Sequence, residues 1–454
     1  MEETTIFELV ICFGILCLVL VYPWVRRVAS VGLPMCYILS LTLIHWLGAL
    51  IHALPLPWHS SADPYTELGF RQAFWATLAF AIGAMILAPL VLKLASQHET
   101  SAVVRNPTAE QSRLPLLYIL LGIVFFGVLA PVLKSVPSIS AVTVSGVYLA
   151  VVGVCLACWN SYHQRKYKKL VFCLLAVCVL PFITIVALGF VGYGAVAALL
   201  VFTFVASYYR PRWQAIVGLG LLIFFGLSLY VTYFRDRRTI RQKVWGGADL
   251  TERIDTLTST LSNFEFIDLE NPRHLASIDE RLNQNYLVGR VIRTIDSGQA
   301  DFANGGTLYE AVLAIVPRIL WPEKPVVAGS GNTVSRYTRL TFEASTSVGI
   351  GQVMEFYINF GTLGVIAGFL IIGVLVRVGD TIAARHLYEG NWQGFMSWFV
   401  PSISLLNVGG SLVEVVGSVG SSIVMVFIVN KLLSIGHVTS SGAQVYAVAA
   451  NIGS

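Results

Sequence analysis

The sequence predicts an all-α polytopic membrane protein with about eleven transmembrane helices and one large external loop containing amphipathic helices. Three observations carry this. Of 454 residues, 56% are hydrophobic and 12% charged, and mean hydropathy is +0.73, a balance that soluble domains do not show. Apolar runs of about 17–25 residues recur, the length that crosses hydrocarbon as a helix. Between the eighth and ninth runs lies a polar segment, 235–345, with 14 of the 30 Lys and Arg and 14 of the 25 Asp and Glu.

The runs fall at 8–25, 35–54, 72–95, 114–133, 145–162, 170–188, 194–209, 213–234, 353–376, 394–412 and 420–436. The first lacks a basic start and a small-residue cleavage site, so it reads as a span and not as a removable signal. Lys and Arg in the short loops set the orientation. One side carries Arg26, Arg27, Lys93, Arg105, Arg113, Arg165, Lys166, Lys168, Lys169, Arg210, Arg212, Arg377, Arg385 and Lys431; the other carries Arg71 and Lys134. The N-terminus is therefore expected outside and the C-terminus in the cytoplasm.

The predicted organisation is 1–234, eight spans; 235–345, a large periplasmic loop; 346–436, three spans; and 437–454, a cytoplasmic tail. Residues 97–113 form a polar cytoplasmic linker. All seven cysteines lie in predicted spans, and Cys155 and Cys158 read as small buried residues despite their CxxC spacing. His45 and His52 share one face of the second span, as a packed hydrogen-bonded pair or a proton relay. The central spans are nearly free of charge, which argues against ion-coupled transport.

The external segment has uneven charge. "YFRDRRTIRQK" (Tyr233–Lys243) holds five cations and one anion. Arg318, Lys324, Arg336 and Arg339 stand near its other end, against Glu323 and Glu343. Arginine's planar fork suits a phosphate or pyrophosphate; the alternative is pairing with the segment's own acids or with lipid headgroups. "SIDERLNQNYLVGRVIRTIDSG" (Ser277–Gly298) reads as one amphipathic helix, with Ser277 as N-cap, Glu280 completing a capping box, and Arg281, Arg290 and Arg293 projecting. "TLYEAVLAIVPRIL" (Thr307–Leu320) reads as a second, kinked or ended by Pro317. In "VPRILWPEKP" (Val316–Pro325), Trp321 suits a membrane interface, and the prolines hold Arg318 and Lys324 with little freedom.

"AIVPRILWPEKP", then "GSGNTVSRYTRL" and "GQVMEFYINFGTLGVIAGFLIIG", resemble the Wzy-type oligosaccharide repeat-unit polymerases, the O-antigen polymerases. Glu355, Tyr357, Asn359, Phe360, Gly361 and Gly364 fit that family's pattern at the opening of the following span, and the upstream "RLNQNYL" is similar to it as well. The chain departs from some members in one place: "GFVGYG" (Gly189–Gly194), between spans six and seven, has no cation where they carry an arginine-rich loop.

The resemblance implies a GT-C-like inner-membrane glycosyltransferase that joins undecaprenyl-pyrophosphate-linked glycans at the periplasmic face by inverting transfer. It implies no cofactor and no metal. Its partners would be the lipid-linked glycans, the bilayer, a chain-length regulator and a flippase; no nucleic acid partner is expected. Arg318, Lys324, Arg336, Arg339 and then Arg290 would stabilise the departing pyrophosphate, with Trp321 and Tyr357 contributing to substrate binding. Glu355, then Glu343, would take the acceptor proton, although capping or pairing with an arginine would equally explain Glu355. His274 and Asp279 stand outside this favoured set. An O-antigen ligase-like transferase and a lipid-linked oligosaccharide flippase are the alternatives.

Overall fold

The computed structural model describes residues 3–53, 63–95, 113–133, 137–209, 213–316, 321, 323, 330–342 and 348–451; of 3, 4, 95, 131, 137, 138, 140, 213–217, 219 and 434–451 it describes the backbone alone. Among the described residues the secondary structure is helical, without strands. In order the helices are α1 (Glu3–Arg26), α2 (Leu33–Ala53), α3 (Pro64–Ile82), α4 (Ala88–Ala95), α5 (Leu114–Ile123), α6 (Ala130–Val132), α7 (Pro137–Val144), α8 (Gly146–His163), α9 (Tyr167–Val177), α10 (Leu180–Leu188), α11 (Gly192–Tyr208), α12 (Trp213–Trp245), α13 (Leu250–Ser262), α14 (Pro272–Leu282), α15 (Asn285–Asp296), α16 (Gly306–Ala314), α17 (Ser330–Thr338), α18 (Gln352–Tyr388), α19 (Trp392–Ser404) and α20 (Leu412–Asn451). Wide turns at Gly83–Leu87 and Val124–Leu129 carry α3 into α4 and α5 into α6.

Among the described residues seven helices are long and apolar enough to cross a membrane, and Leu114–Leu129 and Gly192–Tyr208 are shorter apolar helices. The run at 213–234 lies in α12, which continues unbroken past 235 to Trp245. The run at 394–412 is different. Its helix, α19, ends at Ser404; 13 residues give only about 20 Å, short of the ~30 Å hydrocarbon.

The bundle core packs around α2, α3, α8, α18 and α19, with Tyr37, Phe80, Phe369, Phe395 and Phe399 fully buried. At the end away from the long polar segment, Asp380 fastens the α1–α2 turn to α18. Its Oδ1 accepts from Ser30 Oγ, Val31 N and Leu33 N, and its Oδ2 from Arg377 Nη1 at 2.6 Å. Serines join α8, α19 and α20: Ser145 Oγ lies 3.0 Å from Ser421 Oγ, and Ser404 Oγ 3.0 Å from Ser422 Oγ. Cys155 and Cys158 are fully buried, as expected of small core residues.

Two parts of the chain around the polar segment turn into the bundle. The first is the hairpin of α14 and α15. The sequence pattern suggests one helix from Ser277; instead Asn271 caps α14, with Pro272 at its first position, and Ser277 lies inside the helix donating to Arg273 O. The chain breaks at Asn283 and Gln284. That tip rests along α2, about 12 Å of helix from the Ala53 end. There Gln284 N donates to Ile44 O at 3.0 Å and Asn285 Nδ2 to His45 O at 2.7 Å. From the tip α15 climbs along α3. A Cβ at Gly69 would lie 2.7 Å from Asn285 C, and one at Gly289 2.7 Å from Tyr65 Cα, so only glycine allows this approach.

The second insertion opens α18. Helical geometry breaks at Phe360 (φ −144°, ψ 23°) and Gly361 (φ 61°, ψ −149°), the latter a conformation that favours glycine. The short arm, 352–359, folds back on the long one: a Cβ at Gly368 would lie 2.5 Å from the Phe356 ring. Gln352, at the start of the short arm, is thus deep in the bundle. Its Oε1 accepts from Tyr37 OH, and the Tyr37 ring stacks on Phe80 with centroids 4.4 Å apart. Asn359, at the other end of the arm, accepts from Gly305 N at 3.0 Å near the loop end.

Candidate functional site

Three irregular stretches meet inside the bundle: the 283–285 tip, residues 348–351, and the 405–411 loop after α19. Gly351 N donates to Gly409 O (3.2 Å), Gln352 N to Val408 O (3.1 Å), and Gln352 Nε2 to Asn407 O (3.1 Å). These bonds give the non-helical backbone partners within the protein. A cavity of about 470 Å³ lies over this junction, lined by Asp279, Glu280, Arg281, Asn283, Gln284, Tyr286, Leu287, Leu340, Phe342, Val348 and Gly349.

One pocket-lining residue, Arg281, belongs to a group of arginines. The α12 extension carries Arg237 and Arg241; Arg281 lies in the last turn of α14. The Arg237 and Arg281 guanidinium carbons lie 5.1 and 5.9 Å from the Phe234 ring centroid. Arg241 lies 4.3 Å from the Phe190 centroid and donates to Gly189 O. Among the described residues none of the three pairs with a carboxylate, and Arg237 Nε is buried without a hydrogen-bond partner. Burial first, then the charges of Arg281 and Arg241, hold the Arg237 guanidinium below its ordinary pKa. An anion would relieve that repulsion.

Arg235, two residues before Arg237, is committed elsewhere. It pairs with Asp236 at 3.0 Å and with Glu265, which also meets His274 at 3.1 Å. Its hydrogen bonds hold the Asp236 and Glu265 carboxyls below their usual range. This clamp folds the segment from 263 to 274 against α12.

The residues singled out from the sequence fall in several places. Arg290 packs 5.3 Å from the Tyr65 ring and donates to Thr338 O at 3.1 Å. Arg336 and Arg339 are exposed; Arg339 has φ 59° and donates to Gln299 O. The Arg290–Thr338 bond brings α15 and α17 together, and Leu340 carries that chain on to the cavity. Trp321 is exposed. Arg318, Lys324 and Glu343 lie outside the described residues.

Tyr357 is buried with its ring 6.3 Å from Phe302. Glu355 does not stand at the mouth of a span. It is 2% exposed on the folded-back arm, and its Oε2 accepts from Leu412 N at 2.7 Å. Leu412 begins α20, whose Ser411 and Glu414 form a capping box. A carboxylate there meets the positive end of the helix. His45 and His52 do not bond each other; each faces the inserted hairpin, through Asn285 at 2.7 Å and Asp279 at 3.0 Å.

The sequence pattern missed Arg237, Arg241, Arg281 and the cavity's Asn283 and Gln284 as one site. The "YFRDRRTIRQK" run was the available signal. The cation-free "GFVGYG" loop is answered in space, since Arg241 reaches Gly189 from α12.

Fold and site define a polytopic helical protein with a half-open pocket between the α14–α15 hairpin and residues 340, 342, 348 and 349, and with arginines beside it that have no carboxylate partner among the described residues. The chain belongs to the family described as a domain of unknown function, DUF8712, whose model matches residues 80–440. No curated protein and no solved structure matches it.

Proposed function

We propose that this protein is a glycosyltransferase of the bacterial inner membrane that joins undecaprenyl-pyrophosphate-linked oligosaccharide repeat units into a surface polysaccharide. In this reading it is a multi-pass protein in a GT-C-like arrangement, with the N-terminus and the 235–345 segment in the periplasm. One observation carries the proposal: Arg281 belongs both to the carboxylate-free arginine group and to the cavity wall. A lipid-linked pyrophosphate against Arg237, Arg241 and Arg281 thereby has its sugar at the cavity entrance. The arginines stabilise the charge that grows on the leaving pyrophosphate. Amide and carboxylate side chains with Tyr286 and Phe342 suit a polyhydroxylated ligand.

A ligase-like transferase would use the same donor site and differ in acceptor. A flippase is a second reading, favoured by the broken segments that meet deep in the bundle. The test uses purified protein in proteoliposomes with undecaprenyl-pyrophosphate-linked oligosaccharide extracted from cells lacking this protein. A ladder of longer lipid-linked glycans supports the polymerase. Transfer only to a different added acceptor supports the ligase, and movement between leaflets without elongation supports the flippase.

A further inference from the structure

We infer that Asp279 is the carboxylate that accepts the acceptor hydroxyl's proton, an assignment that rests on the transferase reading above. Glu355, the carboxylate the sequence favours, is spent on Leu412 N and shut away from the cavity. Asp279 differs on each count. It lines the cavity with its side chain 29% exposed. Its Oδ1 is held by two donors from opposite sides, His52 Nε2 at 3.0 Å on α2 and Asn283 Nδ2 at 2.8 Å on its own hairpin. Among the described residues its Oδ2 has no hydrogen bond. One oxygen fixed and the other without a hydrogen bond, on a part-exposed residue that lines the pocket, is the geometry of a positioned base.

Its place relative to the charges also fits. Arg281 follows within the same last turn of α14 and lines the same cavity, so base and leaving-group site lie on one short stretch of chain. Glu280 shares the wall but is exposed and accepts no hydrogen bond that fixes it among the described residues.

The step balances without a further reactant. The acceptor O–H proton passes to Asp279 Oδ2 as the acceptor oxygen bonds to the donor's anomeric carbon. The bond from that carbon to the phosphate oxygen breaks, and its electron pair leaves with the lipid pyrophosphate beside Arg281. Asp279 then returns the proton to water. Asn283 and His52 act as positioning residues.

The test uses the full-length protein in proteoliposomes, with the same extracted lipid-linked oligosaccharide, and separately measures binding of undecaprenyl pyrophosphate. Asp279→Asn keeps an oxygen for His52 and Asn283, so the hairpin stays docked. Its elongation rate should fall by about 100-fold or more, while KM for the donor and undecaprenyl pyrophosphate binding stay within about twofold, and Asp279→Glu should recover part of the rate. An Asn variant elongating within about fivefold of wild type, or losing donor binding in step with rate, would overturn the assignment. If the Asn variant does not insert, Asp279→Ala with added formate replaces it: restored elongation supports the base, and none overturns it. Absence of elongation by the wild type, with pyrophosphate binding intact, would instead remove the transferase reading itself, and the base with it.

Discussion

Gly289→Ala tests whether the α14–α15 hairpin is seated as described. A Cβ at 289 would lie 2.5 Å from Tyr65 C and 2.7 Å from Tyr65 Cα. Carbon atoms pack best at about 3.5–4.0 Å, so the overlap is about an ångström and falls on backbone, which cannot rotate away. α15 must back off α3, or the strain must be held. Overpacking of this kind costs about 1–3 kcal/mol, and more when the backbone is fixed. Gly69 makes the same close approach on the facing helix, so relaxation at one contact opens the other, and the upper end applies. A loss of about 3 kcal/mol in the hairpin's local opening free energy lowers amide protection about 150-fold. Hydrogen exchange on the protein in nanodiscs reads this directly over 277–296. Gly247→Ala, where a Cβ meets nothing within 4 Å, is the spatial control; its φ of +80° adds backbone strain away from α3. Wild-type protection across 283–292 in Gly289→Ala would refute the seating of the hairpin.

Three other outcomes follow from the same geometry. Glu355→Ala leaves the buried Leu412 N without its acceptor, at a cost of about 1.5–3 kcal/mol, whereas Glu355→Gln retains an oxygen for it; thermal melts in detergent should rank wild type and Gln together above Ala, and equal melting of Ala and wild type would contradict the contact. A reporter fused near residue 270 should read periplasmic and one near 167 cytoplasmic, and the reverse at either would overturn the orientation proposed from Lys and Arg counts. The Arg235 clamp should fail in acid: the Asp236 and Glu265 carboxyls are depressed in the folded protein, so their stabilisation is complete above the ordinary carboxylate range of about 4 and disappears as pH falls through the lower folded values. Protease cleavage within 263–274 should therefore rise only below about pH 4, and cleavage that rises between pH 8 and 6 would place the control elsewhere.

The membrane class was legible because apolar runs of spanning length need no tertiary information. The run 8–25 lies within α1, and 35–53 of the run 35–54 lies within α2. The failures sit where a tertiary contact decides. "GIGQVMEFYINFGTLG" is apolar enough to read as a span opening, yet Phe356 packing on Gly368 folds 352–359 back and takes Glu355 inward. The stripe from Leu282 to Ile292 keeps helical period through the break at Asn283, because the amide tip bonds Ile44 and His45 of α2 rather than its own helix. The "NVGG" after Leu406 did carry a loop signal, hidden in an otherwise apolar run that suggested a span to 412. The arginine group was half visible: the cationic run from Arg235 marked Arg237 and Arg241, but nothing local says that Arg281 returns to the same Phe234 ring.

The central claim is that Arg281 joins an anion site to the cavity. Its most direct test is the affinity of the purified protein in nanodiscs for undecaprenyl pyrophosphate, with wild type compared with Arg281→Gln and Arg281→Lys. A hydrogen bond to a charged group contributes about 1.5–3 kcal/mol, so the Gln variant should bind about 10- to 150-fold more weakly, and Lys should recover little because a point charge does not replace the fork. Wild-type affinity in a correctly folded Arg281→Gln protein would contradict the account.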